Sequence, residues 1–189
     1  MLTVEQGERL LKLARDTVEA YVRAQALPPA LDTGQPPFDQ QLGLFVTLHV
    51  AGQLRGCMGT FHPDQPIGRL VKEMALTSLA DPRFVFNRIM PHELGRLEVE
   101  ISVLSPLKRS TDPLAEFKTG EHGVLIRAGR NSGCFLPQVA TEMGWGALEM
   151  FNQCCQHKAG LPASAWRRPD AEVYLFTAQI FPPPGVEPG

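Results

Sequence analysis

Residues 43–60, GLFVTLHVAGQLRGCMGT, carry the clearest strand pattern of the chain and its densest chemistry. Leu44, Val46, Leu48 and Val50 alternate with Phe45, Thr47 and His49, which is the period-two pattern of a β-strand. Apolar residues on both faces at its start predict a central strand covered on both sides. Ala51-Gly52 has the composition of a tight hairpin turn into a second strand over 53–55. The chain then enters Gly56-Cys57-Met58-Gly59, two glycines framing a cysteine, either an extended continuation that keeps Arg55 and Cys57 on one side or a glycine-rich turn.

On the N-terminal side, Thr3 and Gln6 have capping-box spacing. Leu10, Leu11, Ala14, Val18, Tyr21 and Val22 recur at helical spacing, predicting a helix over 3–26. Residues 27–38 contain four prolines and one glycine and read as an ordered surface loop. On the other side, Pro66 opens a helix to Ala80 with Ile67, Leu70, Val71, Met74 and Leu79 inward, and Asp81-Pro82 ends it. A strand is predicted over 97–104, a short helix from Asp112-Pro113 to Gly120, and a strand over 124–127 returning at 134–136. A helical region from Pro137 to Lys158-Ala159-Gly160 is broken near 144–146, and one final strand runs 172–181. Residues 182–189, PPPGVEPG, read as a mobile tail. Hairpin-like strand pairs with helices inserted predict an α+β fold, a mainly antiparallel sheet flanked by helices.

The chain's 189 residues suit one domain, and 43% hydrophobic with 20% charged residues is a globular composition. Twenty acidic against eighteen basic residues leave a net charge of −2, which argues against nucleic acid or an anionic membrane as partner. Four cysteines form neither a disulfide framework nor a zinc pattern, so no metal and no cofactor is expected. An early-charged N-terminus and the lack of a span of ~20 apolar residues predict a cytoplasmic protein with reduced thiols.

A thiol is a nucleophile only as thiolate, so its surroundings must lower a pKa near ~8.5. Gly56 and Gly59 leave room for backbone N–H groups to converge on an anion, and Arg55 is a permanent cation two positions from Cys57. The competing reading makes Cys57 a small residue filling a core gap. His62, five residues on, and His49, on one strand face, are candidates for a general base or a substrate-orienting group, or else structural residues. Asp81-Pro82-Arg83-Phe84 presents a carboxylate and a guanidinium in fixed directions, either to bind an anion or to close a turn. In Cys154-Cys155-Gln156-His157-Lys158 neighbouring side chains diverge by ~100° on a helix, so the two thiols share no ligand site. Gly120-Glu121-His122-Gly123 is too short for a phosphate loop.

Several blocks occur in order: GLFVTL (43–48), LRGCMGTF (54–61), DPRF (81–84), EISVLSP (100–106), GEHGVLI (120–126), LPQVA (136–140) and KAGLP (158–162). Together they resemble the AMMECR family, known in prokaryotes as AmmeMemoRadiSam system protein A. The resemblance implies a single AMMECR-type domain over 1–181, with larger and smaller subdomains and a cleft. It also implies association with a Memo-like protein and a radical SAM enzyme. Its most characteristic block holds Arg55, Gly56, Cys57 and Gly59, so the resemblance raises Cys57 as a site; with the residue reading above, His62 is its catalytic companion candidate, and Arg55, Gly56, Gly59, Asp81, Arg83 and His49 are substrate-binding candidates. Two functions follow: a cysteine-dependent enzyme acting on a small anionic molecule, or a non-catalytic ligand- or partner-binding module of the same system.

Overall fold

The hairpin of residues 43–60 forms as two strands joined at Ala51 and Gly52, whose φ values of 52° and 74° are those of a two-residue turn that follows the strand twist. The computed structural model describes residues 2–31 and 34–183. In chain order the elements begin with α1 (Val4–Val22), β1 (Leu44–Val50), β2 (Gln53–Thr60), α2 (Ile67–Leu79) and β3 (Leu97–Leu104). They continue with β4 (Lys108–Arg109), α3 (Pro113–Glu116), β5 (Gly123–Ala128), β6 (Asn131–Phe135), α4 (Pro137–Met143), α5 (Ala147–His157), β7 (Ala171–Phe176) and β8 (Ala178–Phe181). They divide into two compact units, one running to Leu104 and resuming at Gln179, the other spanning Ser105–Ala178.

The first unit is a four-stranded sheet in the order β2-β1-β3-β8. β1 pairs antiparallel with both β2 and β3, so it is the interior strand its pattern predicted. Leu44, Val46 and Leu48 of β1 and Ile101 of β3 are fully buried with Leu10 and Val18 of α1 and Ile67 and Val71 of α2. α1 starts on the predicted capping box, with the Gln6 N–H donating to Thr3 Oγ1 at 3.2 Å and the Thr3 N–H donating to Gln6 Oε1 at 2.8 Å. It stops at Val22, short of the expected Ala26, because Ala24 takes a left-handed φ of 54°.

The second unit is a sheet in the order β4-β7-β5-β6 with antiparallel pairs. Its core joins Val124, Ile126 and Val173 to Met150, Phe151, Cys154, Cys155 and Trp166. Gly144, at φ 66°, separates α4 from α5 where the break was expected.

Three further expectations are corrected. The second hairpin strand does not end at Arg55: β2 runs on through Gly56-Cys57-Met58-Gly59 to Thr60, so that segment is a strand and not a turn. The final strand is two strands, broken at Thr177, with β7 in the second sheet and β8 in the first. At the break the Ser105 N–H donates to the Thr177 carbonyl and the Thr177 N–H to Ser105 Oγ, each at 2.9 Å. The short helix expected to reach Gly120 closes at Glu116. Of the tail expected over 182–189, residues 184–189 lie outside the described residues, as do 32 and 33 of the proline-rich loop.

Candidate functional site

Side chains alternate along β1, so while Leu44, Val46 and Leu48 enter the helix-covered core, Phe45, Thr47 and His49 occupy the opposite sheet face. Register extends this face across three strands. Thr47 stands opposite Cys57 on β2 and Glu100 on β3, Phe45 opposite Gly59 and Ser102, and His49 opposite Glu98. The Thr47 hydroxyl donates to Cys57 Sγ at 3.3 Å, and Cys57 is half-buried. This row of thiol, hydroxyl and carboxylate positions, with His49 beside it, is the polar face of the first unit.

β2 is an edge strand, and the segment after α2 covers its open side at Cys57. Asp81 Oδ2 accepts from the Cys57 N–H at 3.0 Å, and Arg83 Nη2 donates to the Cys57 carbonyl at 3.1 Å. The two side chains also pair with each other, Arg83 Nη2 to Asp81 Oδ2 at 2.6 Å and Nε to Oδ1 at 3.0 Å. One ion pair therefore satisfies both outward backbone groups of the cysteine, an arrangement that closes a strand edge. Burial pushes the Asp81 carboxyl up, but the hydrogen bonds from Arg83 and the Cys57 N–H outweigh it and hold the group at about 2. The hydrogen bond with Asp81 raises the already high pKa of Arg83, and the neighbouring Cys57 sulfur acts in the same direction.

The cation beside the thiol is thus Arg83, with half its side chain exposed, and not Arg55. Arg55 is 6% exposed, and its guanidinium is taken up elsewhere. It donates from Nη1 and Nη2 to the two Glu93 oxygens at 2.8 and 3.2 Å, and from Nε and Nη2 to the carbonyls of Asn87 and Arg88 at 2.8 Å each. Those hydrogen bonds, with one from the Met90 N–H, hold the Glu93 carboxyl at about 2. Arg55 organises the segment before β3; its two-residue spacing from Cys57 does not aim the charge at the sulfur.

The framing glycines have a packing role in place of the expected anion cradle. A Cβ on Gly56 would run into the Ser78 carbonyl oxygen near the end of α2, and one on Gly59 into the Phe45 ring. Gly56 thereby admits Ser78, whose hydroxyl donates to the Val46 carbonyl at 2.8 Å and accepts from the Met58 N–H at 3.1 Å, bridging β1 to β2. His62 lies past the end of β2 and is exposed.

Sequence reasoning thus named Cys57, Asp81, Arg83 and His49, and passed over Thr47, Ser78, Glu93, Glu98 and Glu100. The parity of β1 and β3 signals Thr47 and the two glutamates; nothing local signals Ser78 or Glu93. Cys154 and Cys155 are fully buried, and burial pushes both thiols up, away from thiolate. Among the described residues no group of three or more His, Cys, Asp or Glu is placed to hold a metal ion, and no helix is long and apolar enough to cross a membrane.

The architecture is α+β, built on two four-stranded antiparallel sheets, with a cysteine held on an edge strand by an Asp–Arg pair. The chain belongs to the AMMECR1 family, whose model matches residues 11–181. It is 42% identical over 188 residues to protein TK0174 of Thermococcus kodakarensis, covering 94% of this chain and 90% of that protein. It is 36% identical over 192 residues to protein MK0488 of Methanopyrus kandleri, covering 95% and 89%. The crystal structure of the uncharacterized protein PH0010 from Pyrococcus horikoshii is similar to it with a TM-score of 0.84 at 35% identity, covering 93% of this chain and 90% of that one.

Proposed function

We propose that this chain is a component of an AmmeMemoRadiSam-type system whose reactive centre is the Cys57 thiol, a nucleophile toward a small anionic electrophile. The observation that carries this reading is the Thr47 hydroxyl donating to Cys57 Sγ beside the half-exposed Arg83 guanidinium. A hydroxyl donor and a nearby cation both favour thiolate over thiol. Arg83 also offers charge to an incoming anion, although Asp81 neutralises much of it. The sulfur lone pair bonds to the electrophilic carbon, the leaving group departs with the electrons of the broken bond, and the thiol proton passes to solvent.

Alkylation tests this directly. Iodoacetamide and the anionic iodoacetate are applied from pH 5.5 to 9.5, with each cysteine followed by peptide mass spectrometry. Cys57 is expected to react well below pH 8, and Arg83→Gln to slow iodoacetate more than iodoacetamide. A Cys57 rate that rises only near pH 8 to 9, as for an ordinary thiol, overturns the nucleophile.

A second reading, a non-catalytic binding module, is favoured by one observation: Asp81 and Arg83 direct most of their hydrogen bonds to the Cys57 peptide group and to each other. On this reading Cys57→Ala retains a Memo-like or radical SAM partner in a pull-down with purified proteins. Loss of both partners with Cys57→Ala, in a variant that still folds, rules it out.

A further inference from the structure

Gly120-Glu121-His122-Gly123 is too short to hold a phosphate in its own loop, yet the fold builds this segment around its histidine. Gly120 takes φ 79°, a turn that strains any other residue. Gly123 opens β5 where a Cβ would strike the Phe176 ring. Between them, His122 Nδ1 accepts from the Lys118 N–H at 3.1 Å, which leaves the ring proton of the neutral imidazole on Nε2. Nε2 lies 3.7 Å from Glu121 Oε1, beyond hydrogen-bond distance, and the side chain is only 18% exposed. The segment thus orients a mostly buried N–H donor.

That imidazole lines a cavity of about 430 Å³ contained within the second unit, a size suited to a small molecule. Its apolar wall includes Leu175 and Phe176 at the end of β7, each almost wholly buried. Its polar lining holds two cations, Lys108 and Lys118, against a single carboxylate, Glu116. Glu116 is already engaged, accepting from the N–H groups of Thr111 and Asp112 at 3.2 Å each and pairing with Lys108 at 3.4 Å. Lys118 pairs with Glu121 at 3.3 Å, but both side chains are more than half exposed, so solvent screens the pair and leaves the ammonium exchangeable for a ligand carboxylate. The lining therefore combines a hydrophobic wall, an oriented N–H donor and an ammonium held only in a weak surface pair.

We propose that this cavity is a binding site for a small carboxylate with a short apolar or aromatic body. The carboxylate is held by His122 Nε2–H and Lys118, and the body lies against Leu175 and Phe176. A neutral molecule of the same shape offers no charge to compete with Glu121 for Lys118, and a bare anion leaves the wall wet. This site is independent of the Cys57 reading and uses none of its residues.

The test is a titration of the 15N-labelled full chain with phenylacetate, followed by amide chemical shifts, with benzyl alcohol and inorganic phosphate as comparison probes. Phenylacetate is expected to saturate amides within 105–122 and 175–177 at millimolar concentration, in keeping with so small a ligand. Affinity is expected to fall about tenfold in Lys118→Gln and in His122→Asn, each by about one lost charge-assisted hydrogen bond. The amide oxygen introduced by His122→Asn keeps an acceptor near the Nδ1 position, so the Lys118 N–H stays bonded while the Nε2 donor is lost. Lys118→Gln changes a side chain that is 67% exposed, so a folding defect in one variant leaves the other as a test. The proposal is overturned by any of three results: no saturable shift, affinity in both variants equal to that of the wild type, or benzyl alcohol or phosphate matching phenylacetate at the same amides.

Discussion

Replacing Asp81 by asparagine removes the charge that holds both Arg83 and the Cys57 N–H, and its consequence depends on pH in a way the structure fixes. The carboxyl titrates at about 2 in the folded chain against an ordinary 3.8. Its stabilisation is therefore fully present above pH ~4 and is lost as pH falls toward 2, because below that both folded and unfolded chains carry the protonated acid. At 1.36 kcal/mol per pH unit, the difference corresponds to about 2.4 kcal/mol. Arg83 is 48% exposed, so solvent screens its share, and about 1–2 kcal/mol is the expected pH-dependent contribution. Glu93, held at about 2 by Arg55, titrates over an overlapping range, so the wild-type curve alone does not isolate Asp81. The difference between wild type and Asp81→Asn does. Urea unfolding at half-unit intervals from pH 2 to 7 should give a destabilisation that is constant above pH 5 and shrinks between pH 4 and 2. A difference that stays constant down to pH 2 refutes the charged-clamp account and leaves Asp81 only a turn-forming role.

Four further substitutions test the packing of the first unit, one of them a control. Ser78→Ala strands the Val46 carbonyl and the Met58 N–H in a buried position and should lower unfolding free energy by about 2–4 kcal/mol in urea. Gly56→Ala places a methyl against the Ser78 backbone and should cost more than about 2 kcal/mol. Gly95→Ala, which meets nothing within 4 Å, should stay within about 0.5 kcal/mol, and calorimetry of both variants compares them. Arg55→Lys keeps the charge but loses the two-pronged contact to Glu93 and the carbonyls of Asn87 and Arg88; it should cost about 3 kcal/mol and speed amide exchange over 85–93.

Much of the first unit was legible because its signals are local. The capping box at Thr3, the apolar face of α1 through Val18, the alternation of β1 and the proline after Asp81 each depend on neighbours a few positions apart, and each sits where its pattern placed it; Tyr21, expected on that face, is exposed near the helix end. Features set by distant chain were not legible. Strand β2 continues through two glycines because Ser78 and Phe45 need the space that side chains would occupy, and both are supplied by other elements. Nothing in residues 53–60 records this, so glycine's usual association with turns prevails in a sequence reading. The split of the last strand at Thr177 has the same origin. Residues 172–181 have unbroken strand composition, and only the pairing of β7 with β5 and the placement of β8 beside β3 assign them to different sheets.

The candidate site divides along the same line, and this bears on how its residues are weighed. Cys57, Asp81 and Arg83 stood out as unusual residue types in unusual company, and the fold does bring them together. Arg55 stood out for the same reason, yet a guanidinium reaches far enough from its backbone that sequence spacing does not fix where its charge lies. With five donors to satisfy, a buried arginine goes to the nearest carboxylate and carbonyls, here Glu93, Asn87 and Arg88. Thr47 shows the converse: an ordinary residue on β1 becomes the sulfur's hydrogen-bond donor solely through register. The chemistry at Cys57 therefore depends on the pairing of β1 with β2 as much as on the cysteine. Thr47→Val should consequently slow Cys57 alkylation near neutral pH while leaving the buried Cys154 and Cys155 unreactive, and an unchanged Cys57 rate would remove the hydroxyl from the account.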